Sequence, residues 1–311
     1  MTTRVLLTVD TELRWEGHVR GASWRENLAL SYDPAGVGTG YQLERLAAHG
    51  LKACFFVDPM PALVHGIEPI RRMVEPILAA GQEVQLHLHP SWADVANPVF
   101  ELIHLGPARQ LDLIRTARDL LVEAGAPTPV AFRSGSYAAN LATLDALAEL
   151  GIRYDSSHNG SHHPWPSAIP LDPRQIAPAE VNGVVEVPVT QIGQGSGGLR
   201  HLQICAVSFD EMRAALLHAD REDHPVVTLV SHSFELAARG GRRANGLLVR
   251  RFEKLCRFLA ENEGPLPTAH FTDLVDLPLE AQASPLRSSP LRTAARMAEQ
   301  AWGNAVYERR V

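Results

Sequence analysis

What most constrains this chain is an alternation. Apolar runs of strand length are separated by helix-length segments that stop at glycine. Arg4–Val9 is the first apolar run. The helical pattern Tyr41–His49 closes at Gly50, and the strand Lys52–Val57 follows at once. Pro69–Ala80, Gly81 and Glu83–Leu88 repeat the unit. Ala108–Ala124 follows, with Leu111, Ile114, Ala117, Leu120 and Leu121 at helical spacing before Gly125. Next come the strand Val130–Phe132, the helix Leu141–Leu150 closed by Gly151, and the strand Ile152–Tyr154. Val184–Thr190, the helix Phe209–His218, Val226–Val230, the helix Gly246–Glu261 and a short strand near Thr268–Phe271 complete the series. Strand and helix in alternation predict a parallel sheet. This number of units predicts closure into a (β/α) barrel. No glycine-rich phosphate loop follows the first strand, which removes the main argument for a dinucleotide fold.

With 311 residues and 45% hydrophobic content, the chain can bury a substantial core. The formal charge of −6 carries no long run of one sign, so nucleic-acid binding has no electrostatic footprint. Cys54, Cys205 and Cys256 are an odd, scattered set, and Cys54 and Cys256 read as small core residues. No basic-then-apolar leader precedes Arg4 and no apolar stretch is long enough to span a membrane, so a cytoplasmic protein without a membrane span is the expectation.

Two stretches break the alternation and read as long loops over one end of the barrel: Leu13–Gly40, with Trp15, Trp24 and Tyr32, and Ser156–Pro178. Residues 1–278 are expected to form the barrel and 279–311 a helical tail carrying Met297, Trp302 and Val306. That tail either packs back on the barrel or builds a homo-oligomer.

The chemistry sits where strands end, since a parallel barrel collects its working residues there. The first strand ends in Asp10 and Glu12. The third ends in His87 and His89, which alternation sends to one face about 7 Å apart along the strand. Two imidazoles so placed can close on one metal ion. Arg133 and Tyr137 follow the fourth strand, Asp155 the fifth, and His232 follows Val-Val-Thr-Leu-Val-Ser. Taken singly, each has a plain reading as a cap, a surface group or a core ion pair. Repeated ionisable residues behind apolar runs are hard to explain by stability. Among the other histidines, only His158, His162 and His163 lie in a loop that could meet substrate.

The ordered segments Thr-Val-Asp10-Thr-Glu12, Gly-Gln-Glu-Val-Gln-Leu-His87-Leu-His89, Phe-Arg133-Ser-Gly-Ser-Tyr137, Tyr-Asp155 and Leu-Val-Ser-His232 resemble the polysaccharide deacetylases, the NodB-like superfamily. Lys52-Ala-Cys-Phe-Phe-Val57 is similar to that family's second strand, and the resemblance runs over roughly residues 4 to 275. It implies an imperfect (β/α)7 barrel holding one divalent metal ion, zinc by expectation, and hydrolysing N-acetyl groups on sugars. It further implies Asp10 as base, Arg133 beside it, Tyr137 near the oxyanion and His232 as general acid. Asp155 would keep His232 protonated, and Glu12, His87 and His89 would ligate the metal. The motifs depart from the family's usual form in one consistent way. Thr11 separates the two acids, Ser91 stands where the second histidine usually falls, and Ser134-Gly135 replaces the usual proline after the arginine. The implied substrate is carbohydrate, from an amino-sugar or glycan precursor. A non-sugar amide or ureide, or a non-catalytic carbohydrate-binding relative, are the alternatives. A two-histidine, one-carboxylate set also suits iron oxygenases, but those generally use antiparallel barrels.

Overall fold

The structure is a computed structural model that describes residues 2–195, 197–279 and 281–308. Its strands are β1 (Arg4–Thr11), β2 (Cys54–Val57), β3 (Glu83–Leu88), β4 (Ala131–Ser134), β5 (Tyr154–Asp155), β6 (Ala179–Val181), β7 (Val184–Glu186), β8 (Gln191–Gly193), β9 (Leu199–His201) and β10 (Val226–His232). Its helices are α1 (Trp15–Val19), α2 (Trp24–Ser31), α3 (Thr39–Ala48), α4 (Ala62–His65), α5 (Glu68–Ala79), α6 (Pro107–Glu123), α7 (Leu141–Glu149), α8 (Phe209–Arg221), α9 (Gly246–Glu261) and α10 (Pro290–Tyr307).

The main sheet runs β10-β1-β2-β3-β4-β5-β7-β6. All its pairs are parallel except β6–β7, so seven strands form the parallel series. This is the curled, incomplete (β/α) barrel expected. Its open edges are β6 and β10, and beyond β7 Pro188 cannot extend a ladder because it has no N–H. The predicted strand Val184–Thr190 therefore stops at Glu186. Irregular backbone bridges the gap instead. Thr190 N–H donates to the Thr228 carbonyl, Val230 N–H to that of Leu202, and Ile204 N–H to that of Val230.

Alternation divides the core in two. Val5, Leu7 and Val9 of β1 face the helices, in one cluster with Phe55, Leu86, Phe132 and Leu229. Leu6 faces the lumen, whose lower half is filled by Cys54, Phe56, Ala131, Tyr154, Val185 and Phe271. Two residues further along the same face of β1 stand Thr8 and Asp10, so the packed floor gives way to a polar upper chamber.

Two expectations are corrected, and the tail follows one of its two readings. Leu13–Gly40 is not a loop: it holds α1, α2 and the start of α3. Ser23 caps α2 through the Glu26 N–H, and Glu26 reaches back to the Ser23 N–H, a reciprocal capping box. Thr268–Phe271 contributes only a single bridge to Val5 before the chain turns into a 3-10 turn. The tail helix α10 docks on its own chain. Arg296 meets Glu211 at 3.2 Å, both buried, and Arg251 meets Glu299 at 2.7 Å. This docking lends no support to a homo-oligomer built through the tail. No described helix is long and apolar enough to cross a membrane.

Candidate metal centre and active site

Parallel register brings the strand-end residues together. Asp10 of β1 lies beside His232 of β10, and His87 of β3 beside Arg133 of β4. Glu12 Oε2 stands 2.5 Å from His89 Nε2 and 3.6 Å from His87 Nε2. One ligand atom from each of these three residues lies within 4.8 Å of the others. His87 Nδ1 is 2.7 Å from the Arg133 carbonyl. A carbonyl only accepts, so Nδ1 carries a proton, and Nε2 is the ring atom that faces Glu12. Metal-binding imidazoles are commonly fixed in this way. Burial pushes His89 down, but the adjacent Glu12 carboxylate outweighs it and raises the imidazole to about 9. Burial likewise pushes Glu12 up, and His89 and His87 hold it well below the usual carboxylate range.

Beside these donors Asp10 and His232 face each other. Arg133 is fully buried, and its Nη1 donates to Asp10 Oδ1 at 2.7 Å and to Thr8 Oγ1 at 2.9 Å. Its Nε and Nη2 donate to the carbonyl and hydroxyl of Ser156, and it lies over the Phe56 ring. Burial pulls Asp10 upward, but Arg133 and the nearby imidazoles leave its carboxyl below the ordinary value. Across from it, His232 Nε2 is 4.0 Å from Asp10 Oδ2. Burial depresses His232, while Glu235 and Asp10 together lift it to about 9.

The carboxylate that holds His232 is Glu235 and not Asp155. Glu235 Oε2 lies 3.4 Å from His232 Nδ1 and accepts the His232 backbone N–H at 2.9 Å. Glu235 Oε1 accepts from the Cys205 N–H at 2.6 Å and from Gln203 Nε2 at 3.3 Å. Against its burial, these donors keep Glu235 below the ordinary value. Asp155 sits on the other face of β5 from Tyr154, which belongs to the lumen cluster. Its carboxylate accepts from the Ser157 hydroxyl at 2.7 Å and lies in register with Glu186. Burial raises both carboxyls of this outward pair. The expectation that Asp155 keeps His232 protonated is therefore corrected.

Tyr137 faces the chamber, with buried side chain and φ of 58°, next to Ser136 at φ 57°. Successive left-handed, non-glycine residues are strained backbone of the kind that gathers at functional sites. Burial pushes its phenol up, so it stays protonated. Asp10, Glu12, His87, His89, Tyr137 and His232, with Ser134 and Ser136, line one cavity of about 170 Å³. Of the tryptophans, Trp15 of α1 and Trp92 line the adjoining cleft. Trp24 stacks with Arg25 and Trp165 with His104.

Sequence reasoning missed Glu235 and Asp58. Asp58 follows β2 directly, so the strand-end rule could have found it. Burial raises its carboxyl to about 6, one oxygen accepts the Met60 N–H at 3.0 Å, and the other has no partner.

Removing Glu235's charge has a definite sign. Because its carboxylate raises His232, Glu235→Gln is expected to lower the imidazole's pKa from about 9 towards the ordinary histidine range. Turnover that needs protonated His232 is then lost at lower pH, so the alkaline limb of the pH–kcat profile moves downward. An unmoved limb would show that Glu235 does not govern His232.

No family model matches the chain, and no curated protein matches it. Solved structures do. A protein provisionally assigned as a polysaccharide deacetylase from Mycobacterium smegmatis superposes with a TM-score of 0.58 at 19% identity, covering 93% of this chain and 96% of that one. A family 4 carbohydrate esterase from Streptomyces lividans matches with a TM-score of 0.43 at 15% identity, covering 91% and 98%. The chain thus has the NodB-like polysaccharide deacetylase fold.

Proposed function

We propose that this protein is a metal-dependent amide hydrolase that removes an N-acetyl group from an amino-sugar or glycan precursor. One observation carries the reading. The Glu12, His87 and His89 donor triangle shares a single small chamber with an ionised Asp10 and a protonated His232. The description of the M. smegmatis protein as a polysaccharide deacetylase supports the substrate class.

One carboxylate and two imidazoles suit a catalytic zinc site, and the anchoring of the His87 ring through Nδ1 fits such a role. A divalent ion held there would supply Lewis-acid polarisation of the amide carbonyl and a bound water with pKa near ~7. The protein's own groups do the rest. Asp10, kept ionised by Arg133, accepts the proton of the attacking water. His232, kept protonated by Glu235 and Asp10, donates to the leaving nitrogen as the C–N bond breaks. The turn at Ser136–Tyr137 supplies polar groups on the side where the oxyanion develops.

The test is acetate release from N-acetylated sugars by zinc-loaded protein, lost on chelation and regained on adding zinc. No acetate from any of them would pass the case to a non-sugar amide or to a binding role.

A further inference from the structure

The catalytic chamber is not closed. Through Glu12, His89 and Ser136 it joins a cleft of about 320 Å³ walled by aromatic side chains, among them Trp15, Phe100 and Phe234. A further hollow of about 390 Å³ continues beyond, also lined by Arg14 and Phe234. Arg14 therefore stands at the junction, two residues after a metal-donor position.

The backbone of Arg14 is fixed with unusual care. Its N–H is 3.1 Å from both Asn27 Oδ1 and Ser31 Oγ, and its carbonyl accepts from Asn27 Nδ2 at 2.9 Å. Asn27 and Ser31 are buried and bonded to each other at 2.7 Å, and the Ser31 carbonyl accepts from Ser233, next to His232. Gly17 of α1 packs on the Asn27 amide so closely that a Cβ there would lie 2.8 Å from it. The side chain, by contrast, is lightly used. Its guanidinium lies over the Phe234 ring, 5.4 Å from the centroid, its Nη1 donates to the Arg239 carbonyl at 3.4 Å, and its Nε stands 4.0 Å from the carboxylate of Glu16, which is 65% exposed. A guanidinium has five N–H donors in a rigid fork suited to carboxylate and phosphate.

Charge balance gives the same direction. Asp10 is matched by Arg133, and Glu235 by His232. A divalent ion at Glu12 would more than cancel that carboxylate. What remains along the cleft is Arg14 against one exposed, solvent-screened Glu16, and the hollow beyond adds one carboxylate, Glu308, and one cation, Arg239.

We propose that Arg14 recognises an oxyanion, a carboxylate or phosphate, on the part of the substrate away from the scissile amide. The substrate class is then an acidic N-acetyl amino-sugar derivative and not a neutral glycan. This rests on the hydrolase reading above.

Three probes separate the sources of the anion: N-acetylglucosamine, its 6-phosphate, and N-acetylmuramic acid, which carries a carboxylate. Zinc-loaded wild type, Arg14→Met and Arg14→Lys are compared by kcat/KM for acetate release and by calorimetric Kd, which needs no turnover. Wild type is expected to favour at least one anionic probe about ten- to hundredfold over the neutral sugar. That ratio should collapse towards one in Arg14→Met, be partly kept in Arg14→Lys, and shrink with added salt. Equal wild-type values for neutral and anionic probes, or a ratio unchanged in Arg14→Met, overturn the inference. Acetate release from none of the probes defeats the hydrolase reading instead, and the Kd ratio still decides the role of Arg14.

Discussion

Gly135→Ala is expected to weaken zinc binding at the proposed Glu12, His87 and His89 donors while leaving the fold intact. The imidazole of His89 lies directly against Gly135, where a Cβ would stand 2.5 Å from ring atoms Nδ1 and Cε1. The glycine's φ lies outside the left-handed region, so alanine brings no backbone strain and acts only through this contact. The ring is the movable partner and must swing away, which carries Nε2 off Glu12. The bare backbone at position 135 is what leaves the His89 ring room to lie against Glu12. Zinc affinity, read by competition with a chromophoric chelator, is expected to fall by about ten- to hundredfold. Circular dichroism should be near wild type. Unchanged affinity would remove His89 from the donor set.

Asp10→Asn is expected to act the opposite way, losing turnover and keeping metal. The amide can still accept from Arg133 but cannot take a proton. Loss of a general base costs about 10²–10⁴ in kcat. Arg133 would be left fully buried without its counter-ion, a change that costs roughly 3–5 kcal/mol of stability. The variant should therefore melt earlier, and its assay belongs well below its Tm. Bound zinc should stay near the wild-type amount. Metal lost together with activity would make Asp10 a ligand and reverse the assignment.

Much of this site was legible because strands have a period of two. Once Arg4–Val9 and Glu83–Leu88 are read as strands, Asp10 with Glu12 and His87 with His89 must share faces. The role of Asp155 came from the family resemblance alone, and on a strand of only two residues its neighbour Tyr154 takes the lumen face and leaves Asp155 on the other. Glu235 carries no periodic signal. It returns to His232 through a tight turn, its N–H donating to the His232 carbonyl. The segment holding Arg14, Asn27 and Ser31 was read as loop because glycines and polar residues hide its short helices. The Ser23–Glu26 spacing was the available sign of α2.

The most direct test of the account titrates metal-free wild-type protein with zinc, following bound ions by native mass spectrometry and acetate release from an N-acetylated amino-sugar in parallel. Both signals should rise together and saturate at about one ion per chain. Acetate release at full rate with no bound ion, or one bound ion with no hydrolysis of any amide, would contradict it.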